Sequence, residues 1–154
     1  RGSTRQPGRL GARVTVVIGY QYASLRLVPR VDREEFINVG VVLYAQDAGF
    51  LDAVFELDDA RAVALSTTCD LDGVRAMLEQ IRAVCRGDSG RGLPVFERDG
   101  QRFGWIIAPR STVVQPGPVH GGLCADPAIE LERLLVRLVR AEAPTSPQQT
   151  RPRR

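Results

Sequence analysis

Arg110, Ser111 and His120 are the residues of this sequence whose types suit them to hold an anion together. They lie in a stretch running Trp105-Ile106-Ile107-Ala108-Pro109-Arg110-Ser111-Thr112, then Gln115, then Val119-His120-Gly121-Gly122. Arginine presents a planar fork of donors that fits a carboxylate or a phosphate. A glycine pair lets backbone amides approach a ligand closely. Pro116 and Pro118 restrict the chain between the arginine and the histidine, so the spacing predicts that Arg110, Ser111 and His120 converge, with Arg30 nearby. Arg26, Asn38 and Gln115 are the supporting candidates. Each group also has a plain structural account. Arg110 would pair with an acid, and His120 would satisfy a carbonyl at a strand end. The charges of Arg30–Glu35 would be a solvated connection whose ion pairs contribute at most about 1 kcal/mol. Asp58 and Asp59 answer a helix dipole more simply than they bind a metal.

Little else in the sequence could do chemistry. It has no phosphate-binding loop, no dinucleotide-binding glycine motif, no nucleophile elbow and no calcium loop. His120 is the one histidine, so a site with several imidazole ligands is excluded. Cys69, Cys85 and Cys124 form no C-x-x-C pair and are odd in number, which argues for reduced, unliganded thiols rather than a disulfide framework or a zinc site. No cofactor and no metal are expected, and the balance is against an enzyme.

The 21 basic residues are all arginine. Seven of them lie in residues 1–13 and 151–154. Residues 14–143 carry the other 14 against all 18 acids, which leaves that stretch about four charges negative. A face built for nucleic acid is therefore not expected on the body of the protein, and only the arginine tails could serve phosphate. No apolar run approaches the ~20 residues of a membrane span, and the run after the first arginines is too short for a signal sequence. A cytoplasmic protein is the expectation.

The elements that must position these groups follow from period and punctuation. Residues 1–13 and 144–154 read as disordered tails flanking one domain, 14–143. Val14–Pro29 and Phe36–Ala45 alternate as strands, with Gly40 marking a bulge or a close approach. Gln46–Gly49 reads as a turn and Phe50–Leu57 as the returning strand. Asp58 caps a short helix to Leu65. Asp70 or Asp72 caps a longer one to Cys85, closed by Gly87. Its stripe is Leu71, Val74, Met77, Leu78, Ile81, Val84 and Cys85. Asp99-Gly100 reads as a hairpin turn, Pro109-Arg110 as a second, and 117–123 as a loop. Asp126 and Pro127 open a last helix. The pattern predicts an α+β fold: an antiparallel sheet of about five strands with two longer helices packed on it.

Five segments carry a further likeness: Y-x-Y-x-x-L-R-x-V-P-R (Tyr20 to Arg30), E-F-I-N-V-G-V-V-L (Glu35 to Leu43), A-P-R-S-T-V-V-Q (Ala108 to Gln115), V-H-G-G (Val119 to Gly122) and D-P-x-x-E-L (Asp126 to Leu131). In combination they resemble the bacterial domain-of-unknown-function family numbered 3037, over nearly all of residues 18–140. The resemblance implies a small bacterial protein and carries no catalytic residues over. It also implies a possible partner, a HipA-like kinase encoded nearby. The expected function is thus a cytoplasmic interaction or accessory module that binds a protein partner. The alternative is a phosphate- or carboxylate-binding protein or enzyme that uses Arg110 and His120.

Overall fold

The alternation of apolar and polar residues in β1 (Ile18–Leu27) sends its two faces into two different cores. The computed structural model describes residues 16–142, and the tails 1–13 and 144–154 lie outside them. Ala23, Leu25 and Leu27 enter a first core, and Ile18, Tyr20 and Tyr22 border a second. Every strand pairing is antiparallel. The order is β3 (Phe50–Phe55), β2 (Ile37–Ala45), β1, and then an outer row of β4 (Val114–Pro116) and β5 (His120–Cys124), both paired with β1. The fold is α+β with a five-stranded sheet, as the pattern predicts.

The helices close both faces. The first core takes Ala62 from α1 (Asp59–Leu65), Val74, Leu78, Ile81, Val84 and Cys85 from α2 (Leu71–Arg86), and Phe103 and Ile106 from α3 (Asp99–Ile106). The second takes Leu131, Leu134 and Leu135 from α4 (Pro127–Leu138) against Val41, Leu43 and Ala45. The caps are those that satisfy orphan amides. Asp58 accepts from the Arg61 amide at 3.1 Å, Asp126 from Ala128 at 2.9 Å, and Asp70, rather than Asp72, from Gly73 at 3.0 Å. Gly87 ends α2 at φ 72°. Met77 departs from the α2 stripe and is exposed.

Gly40 serves both purposes a strand glycine suggests. The β1–β2 register shifts between Leu25, opposite Gly40, and Arg26, opposite Asn38, so Val39 is the extra residue of a bulge. Gly40 then faces the first core, where a Cβ would stand 2.8 Å from the Val54 carbonyl oxygen.

Three expectations give way. Asp99-Gly100 is not a hairpin turn but the first turn of α3. Gln101 reaches back to accept from the Arg98 amide at 3.3 Å, and Phe103 and Ile106 then share one buried helical face. The segment from Phe103 to Ile106 is accordingly helix, Ile107 and Ala108 turn out of it, and Pro109-Arg110 lies in the link from α3 to β4 rather than tipping a hairpin. The expected loop 117–123 contains most of β5.

α4 is tied to the sheet by one buried charge. Glu130 is 8 % exposed, and its carboxylate accepts from the Tyr20 hydroxyl at 2.7 Å and from Arg133 at 3.0 Å. Burial, then the Glu130 hydrogen bond and its charge, push the Tyr20 hydroxyl up to about 12. Burial pushes the Glu130 carboxyl upward, but the Tyr20 and Arg133 hydrogen bonds outweigh it and its pKa ends below the usual glutamate range. Tyr20 holds its proton more tightly folded than unfolded. Its stabilising contribution is therefore complete below about pH 10 and is lost as pH rises through about 12. Glu130 has the opposite sign and loses its contribution as pH falls. Tyr20→Phe should cost about 1–3 kcal/mol near neutral pH, because it leaves a buried carboxylate one donor short. It should also flatten the alkaline limb of stability measured against pH; an unchanged limb would mean that Tyr20 is not the titrating group.

The three cysteines are free, Cys85 buried and the other two half-buried. Burial pushes all three thiols up, Cys85 to about 12. Alkylation of the folded protein at about pH 8 should be slow, slowest at Cys85, and unfolding should release three reactive thiols. Fewer than three would reveal a disulfide or a ligand.

Candidate functional site

The outer row of the sheet is one strand interrupted in its middle. Pro116 lies opposite Leu25 and His120 opposite Tyr22, so Gly117, Pro118 and Val119 span what β1 covers with Ala23 and Ser24 alone. The Gly117 amide still donates to the Ser24 carbonyl at 2.8 Å. A Cβ on Gly117 would lie 2.5 Å from the Ser24 hydroxyl and 3.0 Å from Arg26 Nε, so a side chain there would have to displace that polar pair.

Beyond this break β5 is paired on one side only, to β1, among the described residues. Its outer backbone groups therefore point away from the sheet. Residues 117–124 carry no Asp, Glu or Arg, the charges that usually blunt such an edge. Leu123 is 73 % exposed, and Val16, Val17 and Val119 are exposed as well.

At the other end of the row lies a groove of about 390 Å³ between Ser111 and Gln115 on one side and the β1–β2 connection on the other. Arg26 lies in it with its guanidinium 4.1 Å over the ring of Phe36. Arg26 Nε is buried without a hydrogen-bond partner, as is Oδ1 of its cross-strand neighbour Asn38. Glu34, at φ 56°, stands at the rim of the groove.

Residues 22–139 match the family described as "Protein of unknown function (DUF3037)". The chain belongs to the DUF3037 family. The match spans every element of this DUF3037 domain from the middle of β1 through α4. No curated protein and no solved structure matches the chain.

Within the DUF3037 domain the residues expected to converge are dispersed. Arg110 lies 4.4 Å over the Trp105 ring and donates to the Trp105 carbonyl, on the face of the first core. His120 stacks on Tyr22, with ring centroids 5.4 Å apart, on the face of the second core. The sheet thus stands between them. The reason is that α3 replaces the expected hairpin and carries Trp105, and Arg110 after it, to the other side. Arg30 is exposed and paired with Asp32 at 2.6 Å. It lines a separate groove of about 380 Å³ with Arg33 and Ser66–Thr68. Gly121 and Gly122 do not form an amide nest. Gly122 makes room for Tyr20, whose ring carbon Cζ would be 2.5 Å from a Cβ there.

Ser111, Arg26 and Gln115 do come together, in the Arg26 groove. Asn38 spends its amide on the Leu138 carbonyl at 3.0 Å, closing the end of α4. Sequence reasoning missed Phe36, which the register of the β1–β2 pair brings to Arg26, and Leu123, whose exposure depends on β5 being an outer strand. Among the described residues no group of three His, Cys, Asp or Glu side chains could hold a metal, and no helix is long and apolar enough to cross a membrane.

Proposed function

We propose that this domain is a cytoplasmic protein-interaction module whose partner contributes an extended segment along the free edge of β5. The observation that carries this is the edge itself: five residues paired on one side only, without charge, with Leu123 exposed beside them. An added strand would gain main-chain hydrogen bonds along β5, and Leu123 with Val119 would give the contact its apolar part. The expected Arg110–His120 constellation is dispersed over two faces, which weakens the alternative of an enzyme or anion-binding protein built on that pair. The resemblance of the sequence makes a HipA-like kinase the first partner to try.

The test is a selection of displayed linear peptides on the wild-type domain and on Leu123→Asp. Leu123 is largely exposed, so the substitution should leave the melting temperature nearly unchanged. Peptides recovered on the wild type should bind the variant at least about tenfold more weakly. Equal binding to both would place the interaction elsewhere.

A further inference from the structure

We propose that the Arg26 groove is a carboxylate-binding pocket, in which the guanidinium edge of Arg26, with Ser111 and Gln115, receives an acidic side chain of the partner segment. This specifies the partner chemistry of the edge-binding function proposed above and rests on that reading.

Arg26 and Arg82 each have a buried, unpartnered Nε, but the Arg82 guanidinium faces Glu79 at 4.0 Å, and Arg26 has no such acid partner among the described residues. The arginines that line the other grooves are already engaged: Arg30 with Asp32, Arg33 with Glu35, Arg140 with Glu56, and Arg61 with the Val139 carbonyl. Arg110 donates to the Trp105 carbonyl. Arg26 has neither an ion pair nor a hydrogen bond among the described residues, and its Nε is buried without a partner. Nε is covered by the neighbouring chain at Gly117, whereas the two terminal nitrogens are neither buried nor paired among the described residues, and these are the donors an incoming acceptor can reach. The stack on Phe36 occupies the face of the guanidinium and leaves its edge, where the N–H groups point, to an acceptor in the plane.

The surroundings choose among acceptors. Glu34 at the rim balances the one positive charge, so the groove as a whole is neutral. The Glu34 carboxylate repels any anion, a dianionic phosphate more strongly than a monoanion, so the single charge of Arg26 suits a monoanion better. Val31 and Phe36 supply apolar wall for the methylenes that carry a carboxylate, and the Ser111 hydroxyl and Gln115 amide add uncharged donors. The position also suits a segment already on β5. Gln115 and His120 lie opposite Arg26 and Tyr22, four residues apart on β1, which is about 13 Å of extended chain. A peptide that pairs with β5 and continues past the proline break would therefore place a glutamate or aspartate in the groove about four residues beyond its paired stretch.

The full chain, labelled for amide and side-chain NMR, is titrated with 3-phenylpropionate, with 3-phenylpropionamide and with inorganic phosphate. The acid should shift Phe36, Ser111 and Gln115 with an affinity in the millimolar range. The amide and phosphate should not. Arg26→Gln should weaken the acid about tenfold or more, and Ser111→Ala, at an exposed residue that does not threaten folding, about two- to tenfold. An equal response to the amide, a stronger response to phosphate, or undiminished binding in both variants would overturn the proposal. Leu123→Asp should leave the titration unchanged, so loss of edge binding and loss of the pocket are separate results. In peptides recovered on the wild type, Glu→Gln at the position predicted to reach the groove should reduce binding to the wild type but not to Arg26→Gln. An equal reduction in both would overturn the assignment to Arg26.

Discussion

Leu78→Ala should lower the stability of the domain by about 3–5 kcal/mol, the upper part of the range for buried leucine truncations. Leu78 has no exposed surface and lies midway along α2, where that helix meets the sheet. Val74 precedes it by one turn and Ile81 follows it on the same buried face. The same core takes Leu51 and Ala53 from β3, and the pairing of β3 with β2 limits how far the strand side can close over a void. The cavity term therefore adds to the transfer term. Leu135→Ala, in the smaller second core and 6 % exposed, should cost less, about 2–3 kcal/mol. Urea unfolding followed by circular dichroism measures both. A loss below about 1 kcal/mol for Leu78→Ala would mean that α2 does not pack on the sheet as described.

Gly40→Ala should also destabilise, although the intrinsic preference of a strand for alanine over glycine pulls the other way. That preference contributes roughly 0.5–1 kcal/mol. Against it stands a Cβ 2.8 Å from the Val54 carbonyl oxygen and 3.0 Å from the Phe55 Cβ. Neither neighbour is the free end of a flexible side chain. Both belong to β3, paired with β2 in register at this point, so relief requires the two strands to part. Overpacking of this kind costs about 1–3 kcal/mol and the loss should win, with Gly40→Val worse than Gly40→Ala. The same unfolding experiment reads it. A gain in stability for Gly40→Ala would show that the bulge at Val39 relaxes to accept a side chain.

Where sequence and structure agree, the signal is local and redundant. α2 has an acidic cap, a four-turn apolar stripe and a left-handed glycine at its end, and each gives the same boundaries. β2 alternates through a run too apolar to be a connection. The disagreements arise where one dipeptide carried the reading. Asp99-Gly100 favours a tight turn in isolation, but Gln101, Phe103 and Ile106 together favour a helix, and burial of the last two decides. His120–Cys124 has two glycines and no period, and it is a strand because β1 offers it an edge and Tyr20 needs the space over Gly122. The candidate groups follow the same rule. Arg26, Ser111 and Gln115 stood in the sequence as polar residues near strands, yet their meeting depends on β4 pairing with β1 across about 90 residues of chain. No spacing rule reports such a pairing. Arg110 and His120 are close in sequence and separated by the sheet for the same reason.

The edge-binding account is tested most directly by amide hydrogen exchange of the domain alone and in complex with a peptide recovered on it, or with a HipA-like kinase if one binds. The outward-facing amides of His120–Cys124 should exchange readily in the free protein, because nothing pairs with them there. In the complex they should slow by at least about tenfold, while the amides of α2 and α3 on the first-core face stay as they were. Protection confined to the α2–α3 surface, with β5 unchanged, would contradict the claim that the free edge of the sheet is where this domain takes its partner.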